Sequence, residues 1–133
     1  MTLSMYQASV PVFLRTLAAL SGVLDKAAVH ATHRKIEPSV LLNTRLFPDM
    51  FPLVRQVQIA VDFAKGVSAR LAEIEVPKYE DSEVTFADLQ ARVAKTLTFV
   101  EGVPASAFDG AESREIEVPA GPFTLGFSGQ DYL

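Results

Sequence analysis

From Val10 the apolar residues Phe13, Leu17, Leu20, Leu24, Ala27 and Ala31 recur at alternating steps of four and three. That spacing lays them along one stripe of a helix. Pro11 cannot donate a backbone hydrogen bond, so either it sits in the first turn behind a Ser9 cap or it kinks a helix begun near Ser4. The early start is preferred, giving a first helix over about 4–34, with His33, Arg34 and Lys35 where a helix carboxyl end favours cations.

Glu37-Pro38-Ser39 opens a short apolar run, Val40-Leu41-Leu42, and predicts a brief helix over about 38–43. A loop carrying Phe47-Pro48 follows. Asp49 is the expected amino-terminal cap of the second long helix, with Pro52 tolerated in its first turn. Met50, Val54, Val57, Val61, Ala64, Ser68 and Leu71 then keep the four-three spacing, so this helix is expected over about 49–74. A linker with Pro77 and a cluster of acids separates it from Thr85-Phe86-Ala87-Asp88, which has the form of a capping box. Phe86, Leu89, Val93, Leu97 and Val100 place a third long helix over about 85–101, stopped by Gly102 and Pro104. The period then changes to two. Ile116 and Val118 alternate with acids, Pro119-Ala120-Gly121-Pro122 supplies a turn, and Phe123, Leu125 and Phe127 alternate again, which predicts a β-hairpin over about 114–128 covering one end of the bundle.

Residues 1–133 are read as a single mainly α domain, large enough to bury one core without metal or disulfide staples. Apolar residues make up 49% of it and charged ones 21%, of both signs, a composition that folds. There is no cysteine, which removes disulfides, thiolate zinc sites and cysteine nucleophiles together. A net charge of -4 without a Lys/Arg cluster argues against a nucleic-acid partner. No run is long and apolar enough to span or anchor in a membrane, and the first residues lack the pattern of a secretory signal, so a cytoplasmic setting is expected.

Three stretches carry a family resemblance: Leu42-Asn43-Thr44-Arg45-Leu46-Phe47-Pro48-Asp49-Met50-Phe51-Pro52-Leu53 with the following Gln56 to Ala60 and Ala64-Lys65-Gly66; the opening Met5 to Phe13; and the ending Phe127 to Leu133. On these the chain resembles the domain-of-unknown-function family numbered nineteen-ninety-three, an uncharacterised branch of the DinB-like helical bundles. The resemblance implies an up-down-down-up four-helix bundle in which the hairpin leads into helix four. Family members continue past the Asp131-Tyr132-Leu133 step into a long helix, and this sequence stops where that helix is expected to begin. Some DinB-like bundles bind a divalent metal through three histidines and use it in thiol transfer or hydrolysis. The resemblance thus carries a metal-dependent transferase or hydrolase as the alternative to a structural or small-ligand-binding bundle without catalysis.

The residues favour the second of these. His30 and His33 could share a helix face, but a metal site needs three or four converging ligands and no third histidine is present, so no cofactor is expected. Gln58, Asp62 and Lys65 can meet on one side of the second long helix, with Asp62 as a base and Lys65 as an electrostatic partner in a pocket; an ordinary solvated ion pair is the favoured alternative. Arg45 and Asp49 flank the Leu-Phe-Pro loop, with Arg45 either as a carboxylate clamp or, preferably, paired with Asp49 as a helix cap or with the hairpin acids. No Gly-x-Ser-x-Gly and no glycine-rich phosphate loop occur. A bundle without its fourth helix would expose an apolar groove between the first and third long helices, and this predicts self-association, most simply as a homodimer.

Overall fold

The computed structural model describes residues 2–133. Helix α1 spans Met5–Arg34, α2 Pro38–Leu42, α3 Leu53–Leu71 and α4 Phe86–Glu101. Two 3-10 turns, Ala105–Phe108 and Ala111–Ser113, lead to strands β1 (Glu115–Ala120) and β2 (Phe123–Ser128) and a final turn of helix, α5 (Gly129–Tyr132).

The ends of α1 and α4 are set by their caps. At Ser4 and at Thr85 the hydroxyl accepts from the backbone N–H three residues on, while Gln7 and Asp88 reach back to the cap's own N–H. Each box satisfies two donors that a helix start otherwise leaves unpaired. The early start of α1 therefore stands, with Pro11 inside the helix.

The expected cap of α3 does not. Phe47-Pro48-Asp49-Met50 forms a tight turn closed by a Met50 N–H to Phe47 carbonyl bond of 3.0 Å, with proline in the second position that such turns favour. Pro52 also disfavours helical geometry in the residue before it. Helix α3 consequently starts at Leu53 behind Pro52, without a side-chain cap, and both Asp49 and Met50 are exposed outside it. Its other end falls short of residue 74 as well, since Glu73 adopts a left-handed φ of 57°.

Two layers of core run through the bundle. The first joins Leu17, Leu24 and Ala31 of α1 to Val57, Val61 and Ala64 of α3 and Phe86, Leu89 and Val93 of α4. The second, at the end nearer the hairpin, gathers Val10, Leu71, Val100, Phe108, Ala111 and Ile116. The helical members of both layers are positions that the four-three spacing selects; Phe108, Ala111 and Ile116 come from the 3-10 turns and β1.

In the hairpin, Ile116 pairs with Phe127, Val118 with Leu125 and Ala120 with Phe123. Gly121 takes φ 61° at the turn, the sign that the favoured two-residue hairpin turns require of their first position. The five apolar side chains do lie on one face, but only its base is covered. Ile116 is 4% exposed, whereas Phe123, Leu125 and Phe127 are 72%, 47% and 37% exposed. Arg114 fastens that base: its guanidinium donates to the carbonyls of Leu71, Ala107 and Asp109 and lies 3.4 Å from a Glu73 oxygen.

Candidate functional site

Residues 72–85 have no regular structure, yet they are held against α3 and α4 by charge. Arg92 of α4 is the hub. Its side chain is 3% exposed, and its two terminal nitrogens reach Glu83 at 2.8 Å, Asp62 at 2.9 Å and Asp81 at 3.0 Å. Lys65 lies 2.8 Å from Asp62, Arg55 lies 2.9 Å from Asp81, and Gln58 donates to the second oxygen of Glu83 at 2.9 Å. Tyr79 completes the arrangement, with Lys65 Nζ at 3.9 Å, Lys95 Nζ at 4.3 Å and the Arg92 guanidinium at 5.3 Å from its ring centroid. A ring quadrupole attracts such cations.

Electrostatics follow from the geometry. Burial pushes the Glu83 carboxyl up, but the hydrogen bonds from Arg92, Gln58 and its own backbone, with the Arg92 charge, more than offset this and hold it below the ordinary glutamate value. Burial likewise works against the Arg92 charge, and Glu83 and Asp62 outweigh it, leaving the guanidinium more firmly protonated than usual. Asp88 is lowered by the backbone N–H of Val84 and by the Thr85 cap.

The structure thus brings Gln58, Asp62 and Lys65 together, as their spacing suggests, but not on a solvated face. Gln58 and Lys65 are 5% and 6% exposed, because the linker folds over them. Arg92, Glu83 and Tyr79 escaped the sequence reading. The signal for them is the acidic run Glu80-Asp81-Ser82-Glu83 set opposite helices that carry Arg55, Lys65 and Arg92 beside their apolar stripes.

Beside this network lies a cleft of about 660 Å³ between α3, the linker, β1 and α5. Ile59, Phe63, Val76, Pro77 and Val118 form its apolar side; Asp62, Lys65, Gly66, Arg70, Lys78, Tyr79, Asp81 and Tyr132 line the rest. Arg45 and Asp49 are elsewhere. Arg45 donates to the carbonyl of Met50 at 2.7 Å rather than to Asp49, so the cap-and-pair arrangement does not form. His30 and His33 are exposed near the end of α1, and among the described residues no group of three or more His, Asp or Glu side chains is placed to hold a metal ion.

A second groove, of about 690 Å³, opens between α1 and the segment running from α2 into α3, and is lined by Val23, Ala27, Leu41, Leu46, Met50 and Phe51 among others. The expected groove between α1 and α4 is closed instead: those helices pack through the core, and Gln90 of α4 donates to the Ser21 carbonyl and to Asp25 of α1, each at 2.8 Å. No helix among the described residues is long and apolar enough to cross a membrane.

A capped three-helix body with an ion-paired linker and a carboxyl-terminal hairpin defines a DinB-like helical bundle. It is similar to the crystal structure of a DinB family member protein from Shewanella denitrificans, with a TM-score of 0.88 and 39% identity over 96% of this chain and 72% of that one. The chain belongs to the family described as Domain of unknown function (DUF1993), whose model matches residues 5–133. No curated protein matches it.

Proposed function

We propose that the protein is a binding module for a small, partly apolar molecule, and that the cleft between α3, the linker and β1 is where it binds. The observation that carries this reading is an apolar wall facing acids that are already engaged. Asp62 is ion-paired to Lys65 and Arg92, and Asp81 to Arg55 and Arg92, so neither acid stands as an unengaged base. A recess that is apolar on one side, with a few fixed polar groups, suits holding a ligand. Titration with the neutral probe 4-phenylbutanol, followed by amide NMR, is expected to shift Phe63, Gly66 and Tyr79. The absence of any shift there at millimolar probe would overturn the reading.

Self-association is the companion proposal, now placed on the groove between α1 and the α2–α3 segment. Its support is the apolar surface around that groove: Leu46, Phe47, Val23 and Phe51 are 88%, 64%, 58% and 55% exposed. Contiguous apolar surface of this kind commonly marks an interface. Sedimentation should show a dimer that Phe51→Glu dissociates; a monomer throughout the micromolar range would refute it. A cytoplasmic setting is proposed with it, from the acidic, cysteine-free composition.

A further inference from the structure

The ion-pair network beside the cleft is made of three carboxylates, Asp62, Asp81 and Glu83, and three cations, Arg55, Lys65 and Arg92, so its formal charge closes to zero. Arg70 and Lys78 line the same cleft and stand outside that balance, and of the two Arg70 is on α3, the helix that carries Ile59 and Phe63. Among the described residues no carboxylate pairs with Arg70, whereas Arg55 and Arg114 each have one and Arg92 has three. The one side-chain partner of Arg70 is neutral, the Tyr132 hydroxyl, 3.0 Å from Nη1. A guanidinium carries five N–H donors, so most of its capacity is free.

Its placement depends on a side chain that is absent. A Cβ built on Gly66 would lie 2.7 Å from Arg70 Nη1, so the guanidinium occupies space that only glycine leaves open. Ile59, Phe63, Gly66 and Arg70 share one face of α3 at helical spacing. Along that face two apolar side chains come first, then the glycine notch, then the unpaired cation. Phe63 is 68% exposed, and seven residues of rise separate it from Arg70 by about 10 Å.

We propose that the cleft takes a monoanionic amphipathic molecule, an apolar chain or ring ending in a carboxylate, with Arg70 binding the carboxylate and Ile59 and Phe63 packing against the apolar part. This rests on the ligand-binding reading above and adds the chemical class. A planar guanidinium matches a carboxylate in two parallel hydrogen bonds. Asp62 and Asp81, which also line the cleft, disfavour ligands of higher negative charge.

The test compares 4-phenylbutyrate with 4-phenylbutanol, titrated into the full chain and followed by amide NMR. The acid should shift Phe63, Gly66 and Arg70 and bind about tenfold more tightly than the alcohol, the scale of one charge-assisted contact. Arg70→Gln should abolish the difference and leave the alcohol unchanged. Gly66→Ala keeps the charge, displaces the guanidinium and favours the helix, so it should weaken the acid several-fold in a protein that still folds. If Arg70→Gln does not fold, Arg70→Lys decides the matter: it keeps the charge and loses the two parallel donors, and an undiminished preference for the acid would overturn the paired contact. Equal binding of acid and alcohol by the parent protein would overturn the carboxylate assignment and leave the ligand reading standing. Failure of both probes to shift these amides would overturn both.

Discussion

Replacing Arg92 with methionine removes the hub of the linker network while keeping most of its length and apolar stem. The loss can be worked out partner by partner. The contact to Glu83 joins a 3% exposed side chain to a 10% exposed one, and a charge-assisted bond in such a place contributes about 2 kcal/mol. Asp62 and Asp81 are 41% and 44% exposed, so water screens them and each adds only about 0.5 kcal/mol. Glu83 would be left partly buried with Gln58 as its remaining side-chain donor, which adds to the cost. The three contacts sum to about 3 kcal/mol, a lower bound on the loss to be read from urea unfolding at neutral pH. Asp81→Asn should stay within about 1 kcal/mol by the same reasoning. A loss below about 1 kcal/mol for Arg92→Met would refute the claim that this network fastens the linker, and equal losses for the two variants would refute the weighting by exposure.

Acid should weaken the same attachment. Because the folded-state pKa of Glu83 is lowered, its stabilisation is fully present above the ordinary glutamate value and is lost as pH falls through the folded value. Glu83→Gln should therefore flatten the acid limb of a stability-versus-pH curve, and an unchanged limb would count against the pairing. Val61 is 0% exposed, and Val61→Asp should cost about 3 to 5 kcal/mol in thermal or urea melts through an unpaired buried charge; a loss under about 1 would sink the assigned register of α3. Gly129→Ala should destabilise by more than about 2 kcal/mol, because the added Cβ would run into the Ala111 carbonyl and the Leu71 side chain; an unaffected melting temperature would show that α5 can shift.

Much of the bundle was legible because its information is local. The stripes of α1 and α4 and the box at Thr85 to Asp88 are spacing and capping signals complete within a few residues, and they reappear in the fold. The start of α3 was misread because Asp49 satisfies the rule for a cap and also the rule for the second centre of a proline turn. The turn prevails, since Pro48 and Pro52 restrict the backbone on both sides. The site was half legible. Helical spacing groups Gln58, Asp62 and Lys65, but whether that face meets water depends on where residues 72–85 travel, which is long-range information. Nor does any local pattern say that Arg70 folds over Gly66 and finds no acid there. The apolar alternation of β2 identified its shared face correctly and its burial wrongly, because alternation reports which side chains share a face and not what covers that face.

The irregular linker between α3 and α4 has the outline of a loop and the contacts of a core element, and this affects where the chain can change its length. Surface loops ordinarily accept insertions at small entropic cost. The turn at Gly121 and Pro122, exposed at the tip of the hairpin, should follow that rule. Between residues 79 and 85 an added residue would move Tyr79, Asp81 or Glu83 away from the cations that hold them, or shift the Thr85 cap. Two segments that both lack regular structure should therefore diverge differently among relatives, one varying freely in length and the other fixed in its count of residues.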